Sequence, residues 1–160
     1  MFQLIVTIIS IALIVALALA SIFYGGSAFT NSAAKTAEAA LVNGGQQIAG
    51  ASILYQNDNA GAYAKIADLV AGNGVTTYLQ SSPSLPSGLT GSWQTTTKND
   101  VAYVALDVVA NLSTNTTVAR VVKDTAAPTS VTSISSAELP SGETFGILYD
   151  TTNVYFAYSL

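Results

Sequence analysis

Hydrophobic residues fill the first part of the chain almost without interruption. Residues 1–24, MFQLIVTIISIALIVALALASIFY, contain no charged side chain, and the stretch from Leu4 to Tyr24 is 21 residues long. As a helix rising about 1.5 Å per residue, this stretch would measure roughly 30 Å, which is the thickness of the hydrocarbon core of a bilayer. The pattern therefore predicts a helix long enough to span a membrane.

A cleaved secretory signal peptide is the alternative interpretation of this segment, with ALALA before the cleavage point. Signal peptides begin with a positively charged region and have an apolar stretch of roughly 7–15 residues. Here only Phe2 and Gln3 separate Met1 from a longer apolar run. We therefore expect the segment to be retained, and the missing basic residues suggest that Met1 is an N-terminus left after removal of a charged leader.

The spacing of small residues gives this segment an internal pattern. Ala12, Ala16 and Ala20 recur every four residues, which places small side chains on one helix face where a second helix can approach closely. Alanine is also common in apolar helices, so this pattern has two interpretations. Thr7 and Ser10 can donate hydrogen bonds to the backbone of their own helix.

Two glycines, Gly25 and Gly26, follow the apolar run. Glycine inside a helix costs about 1 kcal/mol relative to alanine, so the pair predicts a break in the helix. The helical pattern resumes with Asn31 or Ser32 as a cap. A mostly small-residue stripe with spacings of three and four predicts a face that lies on a sheet. Its members are Ala34, Ala37, Leu41, Gly44, Ile48, Ala51 and Tyr55.

The pattern changes again after this second helical stretch. Residues 57–92 hold several glycines and two prolines, which predicts an irregular region with one short helical piece around Tyr63 to Val70. From Trp93 onward, runs rich in Val, Thr, Ile, Tyr and Phe are separated by turn-like residues, which predicts strands. The runs are DVAYVALDVV, TVARVVKD, SVTSIS, TFGILYD and VYFAYSL.

These elements predict an α+β fold with four parts. An apolar helix covers 1–24, its amphipathic continuation covers 25–56, a loop region covers 57–92, and an antiparallel sheet of four or five strands covers 93–160. In this arrangement the rear half of the long helix packs on the C-terminal sheet and its apolar front half protrudes.

Composition and charge exclude several functions. Five basic and nine acidic residues give a net charge of −4, so the chain lacks the basic surface of a direct nucleic-acid-binding protein. It has no cysteine and no histidine, which removes thiolate metal ligands and the commonest general base. We therefore expect no enzymatic activity, metal or cofactor. The acidic residues lack ligand spacing and are expected to be surface charges, namely Asp100, Asp107, Glu138, Glu143 and Asp150.

Two asparagines, Asn111 and Asn115, fit the N-x-Ser/Thr acceptor pattern for glycosylation. In a chain this rich in serine and threonine, two such matches are also expected by chance.

In layout, nearly the whole chain resembles a type IV pilin of the bacterial pilus (fimbrium) and pseudopilin superfamily. The most specific part of the resemblance is ILYQNDNAGAYAKIADLVAGNGVTTYLQSSPSLP. Its pilin-like positions are Tyr55, Asp58, Asn59, Gly61, Tyr63, Leu69, Tyr78, Leu79, Pro83 and Pro86.

The resemblance implies a structural subunit that waits in the bacterial inner membrane and then polymerises into a filament on the cell surface. Its implied partners are further copies of itself in a helical homopolymer, a leader peptidase and the pilus assembly machinery. Gly25 and Gly26 would lie where pilin helices unwind in filaments. The packing residues of the filament core would be Leu4, Ile5, Ile8, Ala12, Ala16, Ala20 and Phe23.

The chain departs from the pilin pattern at three points. The family's glutamate at the fifth mature position is missing, because position 5 is Ile5, so N-terminal registration would use Met1, Gln3 or Thr7. The C-terminal disulfide of many pilins is absent because the chain has no cysteine. No aspartate cluster matches the calcium site of major pseudopilins.

The sequence leaves several functions open. A major pilin is the first expectation, and a minor pilin or type II secretion pseudopilin uses the same helix. A monomeric binding domain tethered to the membrane outside the cytoplasm is the alternative from another class. Adhesion, motility, conjugation and DNA uptake are all uses of such filaments.

Overall fold

The computed structural model describes residues 2–72, 74, 76–89, 91–96, 100–108, 115–125 and 128–160. They form two compact units, Met1–Ala33 and Ala34–Leu160. The helices are α1 (Phe2–Asp58), α2 (Ile66–Ala71) and α3 (Thr116–Asp124), and a short 3₁₀ turn covers Ile134–Ser136. The strands are β1 (Gln94–Thr95), β2 (Val101–Val108), β3 (Thr129–Ser130), β4 (Phe145–Tyr149) and β5 (Asn153–Ser159).

Helix α1 is continuous across Gly25 and Gly26. The predicted helix break at this pair is therefore wrong for the structure, and so is the new N-cap at Asn31 or Ser32. A helix is held by its backbone hydrogen bonds, which glycine makes as well as any other residue. The cost of about 1 kcal/mol per glycine is spread over a long helix of good helix formers and does not end it.

The rear part of α1 packs on the sheet through the stripe that the sequence predicts. Its apolar members are 5% exposed or less, and Gly44 is also buried, whereas Tyr55 is half-buried. Within the stripe, Gly44 faces Trp93, and the adjacent Gly45 faces the ring of Tyr158. The predicted packing face is confirmed. Its fully covered apolar residues are Ala34, Ala37, Leu41, Ile48 and Ala51.

Five strands form one mixed sheet in the order β1-β2-β5-β4-β3. The long central pairs, β2 with β5 and β5 with β4, are antiparallel, as is β1 with β2. Only the two-residue β3 is parallel to its neighbour, with Thr129 opposite Leu148. The predicted α+β fold, with a long N-terminal helix and a C-terminal sheet, is confirmed.

Both faces of the sheet are covered. Val104, Ile147 and Phe156 belong to the core that includes the α1 stripe. On the opposite face, Tyr103 and Leu148 belong to a second core. The segment after β3 completes that second core through Val131, Ile134, Ala137 and Leu139. Burial on both faces explains why β5 is an unbroken run of buried residues, Val154 to Tyr158.

Two of the five predicted strands differ from the structure. The run TVARVVKD belongs to helix α3, whose N-cap Asn115 accepts a hydrogen bond from the Val118 N–H. Val118 and Val121 lie three residues apart, and both are buried in the α1 core. The run SVTSIS contains only the end of β3 and the start of the 3₁₀ turn. The short helix predicted around Tyr63 to Val70 is present as α2.

Candidate functional site: the apolar N-terminal segment

The first part of α1, Phe2–Tyr24, is called the apolar segment below. Its large hydrophobic side chains are all exposed, from 49% for Val6 to 82% for Phe2 and Tyr24. Successive residues of a helix point about 100° apart, so a run such as Leu4, Ile5 and Val6 faces three directions. The segment is therefore apolar around its whole circumference, which is the pattern of a helix that is buried on all sides.

Length and composition make α1 able to cross a membrane. The first charged side chain of the sequence is Lys35, so no ionised group interrupts the apolar segment or the ten residues after it. The 23 residues of the segment would extend about 34 Å along a helix axis, slightly more than the hydrocarbon core of a bilayer.

Two polar side chains of the apolar segment are satisfied within it. Thr7 Oγ1 donates to the carbonyl of Gln3 at 2.8 Å, and Ser10 Oγ donates to the carbonyl of Val6 at 2.9 Å. These hydroxyls therefore need no further acceptor in lipid or protein. Gln3 and Thr7, two of the predicted registration residues, lie one helical turn apart, and the third, Met1, lies outside the described residues.

The predicted packing residues are all exposed, but they do not form one surface. Ala12, Ala16 and Ala20 share a face because they lie four residues apart on α1. At 100° per residue, Ile5 and Phe23 fall on the same side, whereas Leu4 and Ile8 point roughly 100° away. The predicted packing residues thus lie on two faces, one with the three alanines, Ile5 and Phe23 and the other with Leu4 and Ile8.

Five of the residues that carry the pilin resemblance lie in contact where α1 ends, namely Tyr55, Asp58, Asn59, Leu69 and Tyr78. The rings of Tyr55 and Tyr78 are in edge contact with centroids 5.3 Å apart, and Tyr78 OH donates to Asp58 Oδ2 at 3.0 Å. Asn59 Nδ2 donates to the Tyr55 carbonyl at 2.9 Å. The backbone N–H of Tyr78 donates to Leu69 of α2. These contacts hold the loop against the helix, so the cluster has a structural role.

Asp150 accepts hydrogen bonds on both of its carboxylate oxygens. Its Oδ1 accepts hydrogen bonds from the backbone N–H groups of Asn153 at 2.8 Å and Thr152 at 2.7 Å, and its Oδ2 accepts one from Tyr155 OH at 3.0 Å. The backbone hydrogen bonds, that from Asn153 foremost, lower the pKa of Asp150. Burial raises the pKa of Tyr155. The group closes the turn between β4 and β5.

The other acidic residues do not assemble a site. Asp100, Glu138 and Glu143 line a recess of about 240 Å³, and Asp107 accepts a hydrogen bond from Asn115. Among the described residues, no group of three or more Asp and Glu side chains is arranged to hold a metal ion.

Asn115, one of the two predicted glycosylation positions, is part of the fold. Its Nδ2 donates to Asp107 Oδ2 at 2.9 Å, and its Oδ1 caps α3. A glycan would be attached to this nitrogen, so modification would leave it one N–H for its two acceptors, Asp107 Oδ2 and the Gly88 carbonyl. The second position, Asn111, lies outside the described residues.

Within the described residues, an open depression beside α1 is a surface feature that the sequence did not predict. It has a volume of about 650 Å³ and is lined by Lys35, Glu38, Ala39, Val42 and Asn43 of α1 and by Phe145 of β4. The three-and-four spacing of the α1 residues is visible in the sequence. The sequence could not show that Phe145, from a distant strand, forms the other wall.

Comparison with protein-family models, with curated proteins and with solved structures gave no match. The structure alone describes the protein as an α+β domain whose first helix begins with a segment able, by length and composition, to cross a membrane.

Proposed function

We propose that this protein is the structural subunit, the major pilin, of a type IV pilus-like filament and that it polymerises through its apolar segment. The observation that carries the proposal is the exposure of that segment on every side. Apolar surface costs about 25 cal/mol per Å² when left in water, so the segment needs lipid or protein around it.

Two environments meet this requirement in turn. Lipid surrounds the segment while the subunit is stored in the membrane, and neighbouring segments replace lipid when the filament forms. Lipid chains are as apolar as leucine, so the hydrophobic effect does not drive the exchange of lipid for protein. Close packing of small faces such as Ala12, Ala16 and Ala20 favours the assembled state instead. The contact joins different surfaces of the two copies, and repeated contacts of this kind build a helix when the rotation does not close.

The proposal is tested on material sheared from cells that produce the protein. We expect the chain to sediment as a high-molecular-weight species, free of membrane, and mass spectrometry to show that its N-terminal segment is still present. A chain that stays in the membrane fraction and behaves as a monomer in detergent would instead identify a tethered domain.

A further inference from the structure

The chain between β3 and β4 lies across the face of the sheet that is opposite α1, and its residues 132–143 are called the strap. The structure describes every residue of the strap, whose only regular element is the short 3₁₀ turn. Ala137 is its one buried residue, Ile134 and Leu139 are half-buried, and the others are exposed. The strap therefore contacts the sheet through few side chains.

The ends of the strap are fixed to the sheet by backbone hydrogen bonds. Just before the strap, the Val131 N–H donates to the Tyr149 carbonyl at 2.9 Å, and just after it, the Thr144 carbonyl accepts from the Ser159 N–H at 2.8 Å. Within the strap, three backbone hydrogen bonds each span three residues. Such local bonds can persist when the strap leaves the sheet, so its two ends can act as hinges.

The second half of the strap stands away from the sheet. Leu139, Pro140 and Glu143 of the strap and Val101 and Ser159 of the sheet are among the residues that line a recess of about 240 Å³. Side chains beside such a recess have packing partners on one side only. This part of the strap is therefore held less tightly than a close-packed core.

The sheet face beneath the strap is nevertheless covered. Its residues are at most 8% exposed, and they form one core with the three strap side chains. The other face of the same strands packs on α1, α2 and α3 in a separate, larger core. Displacement of the strap would uncover the first face and leave the larger core intact. The covered residues are Val101, Tyr103, Leu148, Tyr155 and Ala157.

We propose that the strap opens about its two ends while the rest of the domain stays folded, and that this opening uncovers the apolar sheet face around Tyr103 and Tyr155. Proteins open locally where few buried contacts hold a segment, and such opening costs less free energy than global unfolding. The inference is independent of the filament function, because it concerns the unit Ala34–Leu160 alone.

Two buried alanines on neighbouring strands give a matched test, since the natural chain has no cysteine. Ala157 lies beneath the strap, Ala102 belongs to the core on the α1 side, and both are 0% exposed. The full chain is studied in detergent under native conditions. The thiol of Ala157→Cys should react with iodoacetamide about tenfold faster than that of Ala102→Cys, because only the first is uncovered by local opening.

A weakened strap should change one of these rates and not the other. Ile134→Ala removes a half-buried strap side chain, so it should raise the labelling rate of Ala157→Cys about tenfold further and leave that of Ala102→Cys unchanged. Thr132→Ala alters an exposed residue of the strap and is the matched control. It should leave both rates as they are.

Proteolysis of the chain without any cysteine gives a second readout. A glutamate-specific protease can cut after Glu138 when the strap extends into its active site, so Ile134→Ala should accelerate this cleavage. Gly45→Ala crowds Tyr158 in the core on the α1 side and destabilises the domain as a whole. It should leave the cleavage rate unchanged, because local opening does not involve that core.

Equal labelling of the two cysteines, at rates that follow the global stability of each variant, would overturn the proposal. Cleavage that Gly45→Ala accelerates as much as it destabilises the domain would overturn it as well, and this second result decides the question if a cysteine variant does not fold. Neither result bears on the filament function, since both measurements use the full chain in detergent.

Discussion

Gly45 of α1 lies against the ring of Tyr158 of β5 so closely that a Cβ atom on Gly45 would stand 2.5 Å from Tyr158 Cδ2. The helix and the sheet meet at this point without an intervening side chain. The glycine is thus required by packing rather than by backbone conformation, because it lies within a regular helix.

Gly45→Ala should destabilise the domain by about 2 kcal/mol, since overpacking of a close contact typically costs 1–3 kcal/mol. The measurement is denaturant unfolding of the full chain in detergent, followed by tyrosine fluorescence. Gly50→Ala is the matched control: nothing lies within 4 Å of a Cβ at Gly50, so this change should stabilise the helix by up to about 1 kcal/mol. Equal effects of the two substitutions would contradict the packing described here.

Asp150 should make stability depend on pH in the acid range. Its pKa is lowered in the folded state by the backbone hydrogen bonds from Asn153 and Thr152. The stabilisation is therefore complete above the ordinary carboxyl pKa of about 4 and is lost as the pH falls through that value towards the lower pKa of the folded state. Thermal melts of the wild type between about pH 6 and pH 2 should show this loss.

Asp150→Asn should remove part of this acid dependence and lower stability near neutral pH by about 1 kcal/mol, the usual net contribution of a hydrogen bond. Tyr155→Phe removes the hydroxyl that donates to Asp150 Oδ2 and accepts from Asn153 Nδ2, but it retains the backbone donors to Asp150. Its acid dependence should therefore stay close to that of the wild type. If Asp150→Asn kept the wild-type pH profile, the carboxylate would have no role in closing the turn.

Asn115→Ala should lower stability by about 1 kcal/mol because it removes the N-cap of α3. Asn115→Ser keeps a capping oxygen and should recover most of the loss. Both values come from denaturant unfolding, and intact mass spectrometry of the protein from its own cells should show no glycan at Asn115. A glycan at this position would contradict the hydrogen bonds assigned to its side chain.

Gly25→Ala with Gly26→Ala should strengthen α1 locally. The two positions are helical, and a Cβ at either meets nothing within 4 Å. Each change should contribute up to about 1 kcal/mol to helix stability, so amide hydrogen exchange around these residues should slow. If the exchange rates did not change, the helix around Gly25 and Gly26 would be open in solution in both the wild type and the variant.

Helical periodicity made α1 the most predictable part of the fold. Residues from Ala34 to Tyr55 recur every three or four positions because a single stripe faces the sheet, and that spacing is visible without coordinates. The apolar segment was equally visible, since its composition alone indicates a membrane-length helix.

Local composition failed where tertiary packing decided the structure. TVARVVKD is rich in β-branched residues, which favour strands, yet burial of Val118 and Val121 on one side and the Asn115 cap make it helix α3. The predicted helix break at Gly25 and Gly26 is wrong for the opposite reason, because the stability of the long helix α1 outweighs the local cost of two glycines. The depression between α1 and Phe145 could not be predicted from the sequence, because its position depends on which strand lies beside α1.

The most direct test of the proposed filament is electron cryo-microscopy of material sheared from the producing cells, with helical reconstruction. We expect a filament whose axis is filled by the apolar segments, residues 2–24, of many copies, with the sheet domains on the outside. Filaments whose core is built from other residues, or a protein recovered only as membrane-bound monomers, would contradict it.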